Sequence, residues 1–213
     1  NFDMSKVADS GYMFAASGVK EVYLPVSLKK DSTLFVMTTV EKVSAPIYGS
    51  ETIAGYYSEY VKEFIGISGS YISENFAYEI TSLKEITFPQ TLISIGKYAF
   101  KGTSLEEVYI PKSVMGIDVG AFAFCNLLRK IDVDPLNEYY ESQTNCIYKK
   151  GEYNLIQGCN YSIIPASIKV IGAYAFYGFN KLQNVTIPEG VTRISIRAFK
   201  DCSSLSCVYF PTT

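Results

Sequence analysis

Two carboxylates, Glu85 and Glu107, stand at equivalent places in two similar runs, Lys84-Glu85-Ile86-Thr87-Phe88-Pro89 and Glu106-Glu107-Val108-Tyr109-Ile110-Pro111. Paired carboxylates are what a glycosidase sets on either side of a scissile bond, inside a pocket. On stacked strands they would lie about 4.7–4.9 Å apart in an open row, which encloses nothing and reads as a solvated surface. Other catalytic chemistry lacks its residues. The 213 residues contain no histidine, which removes Ser-His-Asp and Cys-His catalysis, the H-E-x-x-H metal site and most structural zinc sites. Neither G-x-x-x-x-G-K-[ST] nor G-x-G-x-x-G occurs, so no nucleotide cradle is indicated. Asp132-Val133-Asp134 with Asn137 and Glu138 resembles a calcium loop only in part, since the Gly and the final Glu of an EF-hand loop are missing. No catalytic residue, cofactor or metal ion is therefore expected. The sequons Asn160-Tyr161-Ser162 and Asn184-Val185-Thr186 are short enough to occur by chance.

Five cysteines cannot all pair within one chain. Cys125 and Cys202 each follow a phenylalanine, Phe122 and Phe199, by three residues, and read as small buried apolar side chains. Cys146 and Cys159 flank a short segment and are close enough in sequence to be bridged; the alternative is that both are free. Net charge is −2 with no basic run, which argues against nucleic acid as a partner. Apolar residues make up 48% and charged residues 19%, a composition that supports a core, and no apolar run reaches the roughly 20 residues that span a bilayer. No leader is legible, and with Asn1 in first place rather than Met that says nothing about export.

What positions these residues is a repeat. Ile164 to Pro188 and Ile187 to Pro211 are two copies of one pattern, with Pro165, Pro188 and Pro211 spaced by 23 residues, as are Phe176 and Phe199. Further copies run from Lys84 to Phe100 and from Glu107 to Phe122, with Pro89 and Pro111 each 11 residues before their Phe. Ala77-Tyr78 and Met13-Phe14 are read as replacing Ala-Phe in two upstream units. A fixed period of this length is the signature of a solenoid. In each unit, V-x-I before proline is a short strand with apolar residues inward, and proline ends it. I-G-x-x-A-F is read as a turn with a short helical segment, Gly96 and Gly172 supplying backbone freedom. The strands are expected to stack in one parallel ladder, with Phe100, Phe122, Phe176 and Phe199 in an interior column.

Two stretches interrupt the pattern. Residues 26–70 fit poorly: Ser32 to Val40 is β-rich, and Glu51 to Phe64 has mostly helical apolar spacing. This segment reads as a degenerate repeat or an amphipathic helix packed on the array, with a Tyr-rich docking element as the alternative. In residues 134–162, Asn145 to Tyr148 and Tyr153 to Ile156 read as two strands joined by Lys149-Lys150-Gly151-Glu152, making an extended, hairpin-bearing repeat.

The motifs Ile95-Gly96-Lys97-Tyr98-Ala99-Phe100, Ile171-Gly172-Ala173-Tyr174-Ala175-Phe176 and Ala198-Phe199-Lys200-Asp201-Cys202 resemble the BspA-like leucine-rich repeat family. Asp134-Pro135, Asn137, Tyr140, Asn145-Cys146 and Leu155-Ile156-Gln157-Gly158-Cys159 match a long variant of that repeat, while Ser195 stands where Gly is usual. The resemblance implies an α/β leucine-rich repeat solenoid spanning residues 1–213 as a single domain. It also implies an extracellular or cell-surface bacterial protein that binds a protein or glycan ligand, with adhesion to host matrix or to other microbes among the roles. The family has no shared catalytic residues, so no enzymatic activity is expected.

The candidate surface is the outward side of the ladder. The middle residues of each V-x-I are Tyr23, Thr87, Tyr109, Asp132, Thr186 and Tyr209, and Glu85, Glu107 and Lys130 stand two positions before three of them. Tyr carries energy at many interfaces, although Tyr and Thr are also simply good strand formers. Two other readings compete: a structural spacer of a larger surface protein, and a carbohydrate-active enzyme whose site lies in residues 26–70.

Overall fold

The computed structural model describes residues 18–24, 39–47 and 59–211. Met13-Phe14, most of the β-rich Ser32 to Val40 and the greater part of Glu51 to Phe64 lie outside them. The strands in chain order are β1 (Glu21–Tyr23), β2 (Lys42–Ala45), β3 (Glu63–Gly66), β4 (Tyr71–Ile72), β5 (Glu85–Thr87) and β6 (Ser94–Ile95). There follow β7 (Glu107–Ile110), β8 (Gly116–Ile117), β9 (Lys130–Val133), β10 (Tyr140–Gln143) and β11 (Cys146–Lys149). The last are β12 (Asn154–Gln157), β13 (Val170–Ile171), β14 (Asn184–Thr186), β15 (Arg193–Ile194) and β16 (Cys207–Tyr209).

The described turns that begin at β3, β5, β7 and β14 each contribute a front and a rear strand to two parallel ladders. The front ladder runs β1-β2-β3-β5, then β7-β9, then β14-β16, in register from Val22 to Val43, Phe64 and Ile86. The rear ladder joins β4-β6-β8 and, after the long repeat, β12-β13-β15. Alternation decides what is buried, because successive side chains on a strand point to opposite faces. Val22, Val43, Phe64, Val108, Ile131 and Val185 face inward. Phe100 stacks on Phe122 at 5.4 Å between ring centroids, and Phe176 on Phe199 at 5.0 Å, so the aromatic column forms in two stacked pairs.

The short helical segments are absent: among the described residues there is no helix. The dihedral angles give the reason. Three residues after Ile72, Ile95, Ile117, Ile171 and Ile194 stand Asn75, Tyr98, Gly120, Tyr174 and Arg197, all with positive φ. Seven residues after the same isoleucines stand Glu79, Gly102, Phe124, Gly178 and Asp201, again with positive φ. Two left-handed residues per turn break any right-handed helix and leave linked tight turns, such as Ala99 N to Gly96 O and Thr103 N to Phe100 O. Freedom of φ is thus not what Gly96 and Gly172 provide, since neither has a positive φ. They provide closeness: a Cβ on Gly96 would come within 2.7 Å of the Ser73 and Glu74 backbone, and one on Gly172 within 2.4 Å of the Leu155 carbonyl.

The upstream repeat is shifted by one residue from the sequence-based expectation. Ile72 pairs with Ile95, and Ala77 N–H donates to Ala99 O, so the buried ring is Phe76, and Tyr78 lies half outside. Phe76 reaches Phe64 at 5.4 Å and Phe100 at 5.9 Å. Within 26–70, the helical spacing near Phe64 is overturned: Phe64 is a ladder residue of β3, and β2 is another ladder strand. The described part of that segment is a degenerate repeat.

The expected hairpin is present and larger. β11 and β12 are antiparallel, as the sequence suggests, and β10 adds a third strand through the two-residue turn Thr144-Asn145, both with positive φ. Cys146 and Cys159 are both free and buried, so the bridge is not formed. The hairpin also breaks the front ladder, which is therefore not the single ladder expected: β7 and β9 form one sheet, β14 and β16 another. On the open edge of β9, Ile131 N–H donates to Asn145 Oδ1 at 3.4 Å and Val133 N–H to Ser142 Oγ at 2.9 Å. Hairpin side chains thus occupy donors that a next strand would use.

Candidate functional site

The sequence-selected residues sit on the front ladder with their side chains outward, Tyr23 being 66%, Tyr109 48% and Tyr209 56% exposed. The alternation that buries Val22, Val108 and Ile131 necessarily presents their neighbours to solvent. Six of the nine expected residues, Glu85, Thr87, Glu107, Tyr109, Lys130 and Asp132, line one groove of about 490 Å³ across β5, β7 and β9. It lies where the ladder parts, because β5 ends one sheet and β7 begins the next. Tyr23 stands apart on β1, and Thr186 and Tyr209 lie beyond the hairpin on β14 and β16.

Sequence reasoning missed three groove residues that precede the strands: Lys84, Glu106 and Arg129. Arg129 Nη2 lies 2.7 Å from Glu107 Oε1 and 3.6 Å from Glu106 Oε2. Lys130 pairs with Asp132 at 3.1 Å, and this hydrogen bond and charge raise the lysine's pKa. Tyr109 is raised by desolvation first and then by Asp134. The same register positions upstream carry Lys20, Glu41 and Lys62, with Glu41 held down to about 2 by hydrogen bonds from Lys62 and then Lys20. The groove is thus a mixed-charge surface with an exposed phenol. Of its paired carboxylates Glu107 is partly neutralised by Arg129, and the pair stands on an open surface.

Tyr161 and Ile163, in the irregular segment before Pro165, are also exposed, at 58% and 70%, and sequence reasoning passed over them. The available signal was proline spacing: Ile163 precedes Pro165 by two, as Tyr109 precedes Pro111 and Thr186 precedes Pro188.

The apparent calcium residues are committed elsewhere. Asp134 Oδ1 accepts from Leu136 N–H, and the buried Asn137 side chain donates to the Pro111 and Val114 carbonyls while accepting from Tyr139 and Tyr140 N–H. Among the described residues no cluster of His, Cys, Asp and Glu is arranged to hold a metal ion, and no helix is long and apolar enough to cross a membrane.

A family model for the BspA type leucine rich repeat region matches residues 54–149 and 151–213 in six copies. The chain belongs to this family. Its fold is similar to the crystal structure of the pneumococcal vaccine antigen PcpA, with a TM-score of 0.65 and 20% identity over 93% of this chain and 47% of that one. It is also similar to a leucine-rich repeat protein from Eubacterium ventriosum, with a TM-score of 0.56 and 20% identity over 90% of this chain and 60% of that one. The chain therefore spans roughly half to three fifths of these two structures, and at such identity the likeness is one of fold. No curated protein matches the chain.

Proposed function

We propose that residues 1–213 form one repeat domain acting as a noncatalytic binding module of a bacterial cell-surface or secreted protein, and that the groove across β5, β7 and β9 takes a protein ligand. The observation that carries this reading is the convergence of Glu85, Thr87, Glu107, Tyr109, Lys130 and Asp132, with Arg129, on one rigid surface. Tyr and Arg are enriched among residues that dominate protein interfaces, and interspersed charges of both signs set orientation and partner choice. A parallel ladder is rigid, so little ordering entropy opposes binding at its face. Family membership supports a surface location, and adhesion to host matrix or to other microbes is the role this reading favours.

The test is a screen of the purified chain against matrix proteins and mucins, with a Thr87→Ala/Tyr109→Ala/Arg129→Ala variant alongside. Binding by the native chain that is lost in the variant supports the reading. Binding that survives the triple change would move the site elsewhere, and no binding to any of them would favour the spacer.

A further inference from the structure

A second groove, of about 610 Å³, lies between the Asn160–Ser162 loop and the start of β14. Its origin is the mismatch introduced by the long repeat. On the turn side, the units before and after the insertion stack directly: Phe124 N–H donates to Tyr177 O, and the Phe124 and Tyr177 rings meet at 4.8 Å. On the ladder side, the hairpin and residues 161–164 must be accommodated as well. Residues 161–163 turn toward the hairpin, where Ile163 N–H donates to Thr144 O and Asn145 Nδ2 to Tyr161 O. Among the described residues β14 pairs only with β16, and the ladder stays open beside it.

The floor of this opening is fixed. Asn160 is buried and joins both sides, its Nδ2 donating to Asn126 O at 3.1 Å and its Oδ1 accepting from Lys181 N–H at 2.9 Å. Asn126 Oδ1 in turn accepts from Asn180 N–H at 2.9 Å. The side-chain amides of Asn180, Gln183 and Asn184 are exposed and have no hydrogen-bond partner among the described residues, and Tyr161, 58% exposed, also lines the groove. Ser204 adds a hydroxyl, and among the described residues Lys181 is the one charged side chain in the lining. This is the opposite of the charged groove on β5, β7 and β9.

We infer that this groove binds a neutral oligosaccharide. A primary amide offers a donor and an acceptor side by side, a match to vicinal sugar hydroxyls, and an aromatic face covers the C–H side of a pyranose. A volume of about 610 Å³ lies within the range of small-ligand sites, roughly 300–1,000 Å³. An anionic ligand would find one cation and a row of neutral amides, and an apolar one would leave those amides unpaired.

The experiment is a titration of the full chain with lactose, N-acetyllactosamine, mannotriose and chitotriose, followed by saturation-transfer NMR. A Tyr161→Ala variant and a Gln183→Ala/Asn184→Ala variant run beside Tyr109→Ala. These side chains are outward-facing, so thermal midpoints near that of the native chain will show that folding is retained. Expected is binding of at least one of these sugars, weakened by about tenfold or more in both groove variants and unchanged in Tyr109→Ala. No binding of any of the four, or equal binding by the variants, overturns the inference. An extended peptide that binds in place of the sugars and is lost in the same variants would also overturn it, by making the open edge of β14 a strand-addition site. Loss in Tyr109→Ala alone would place sugar binding in the other groove.

Discussion

Tyr98, Tyr174 and Arg197 hold a backbone conformation that L-residues with side chains adopt at a cost of about 1–2 kcal/mol, and Glu79 and Asp201 do the same four positions further along the turn. Gly102 and Gly178 show what the second position prefers. We predict that Glu79→Gly will raise stability by roughly 0.5 kcal/mol, relief of strain less the added freedom of the unfolded chain, while Glu79→Val lowers it. Urea midpoints of the two variants decide this, and the reverse order would contradict the assignment. The cysteines give a second prediction. Cys125 Sγ donates to Phe100 O at 3.1 Å and Cys202 Sγ to Phe176 O at 2.9 Å, an inter-turn bond repeated at the same place. Only Cys207 is exposed, so a thiol reagent should modify one cysteine in the native chain and the remainder after unfolding. Burial pushes the Cys125 and Cys146 thiols up to about 12, whereas an unfolded thiol ionises near about 8.5. The folded chain keeps protons that the unfolded chain releases, so stability is full below about pH 8.5 and falls as pH rises toward 12. Unfolding midpoints measured at neutral pH and at about pH 10 should differ, and by less in Cys125→Ala.

At the scale of the element, the long repeat shows what sequence could and could not deliver. Asp134-Pro135, Asn137 and Tyr140 were visible as a motif, and the structure supplies its mechanics. Asp134 closes a turn, Asn137 ties that turn to the previous unit by two hydrogen bonds and braces its own segment by two more, and the Tyr140 hydroxyl accepts from Ile117 N–H at 3.1 Å. Asn137→Ala would strand buried partners and should cost about 2–3 kcal/mol, readable as a shift in urea midpoint. A loss below about 0.5 kcal/mol would show that these bonds are replaceable. β11 and β12 were legible because their apolar residues and intervening Gly announce a hairpin. β10 was not, because Tyr140-Glu141-Ser142-Gln143 lacks alternating apolar residues, and Ser142 serves to cap the β9 edge. The one-residue misplacement at Phe76 has a similar cause: Phe-Ala there reverses the usual Ala-Phe order, and only strand register reveals which ring is buried. The turns were misread as partly helical because left-handed positions filled by Tyr, Phe, Arg and Glu carry no glycine signal.

Across the whole molecule, periodicity in the sequence specified the solenoid and the outward face but not where that face is continuous. Proline and phenylalanine spacing places Tyr23, Tyr109 and Tyr209 at equivalent ladder positions. The break beside the hairpin and the parting between β5 and β7 give them different surroundings, and only Tyr109 stands in the charged groove. Unequal contributions are therefore expected from three residues that repeat arithmetic treats alike. The direct measurement is the affinity of single Tyr23→Ala, Tyr109→Ala and Tyr209→Ala chains for a captured protein ligand, side by side. Tyr109→Ala should weaken binding by about 30-fold, the effect of losing a central interface residue, with the other two within about threefold of the native chain. Equal losses in all three would contradict the groove and favour the whole ladder face as the binding surface, and a loss confined to Tyr209→Ala would move the site beyond the hairpin.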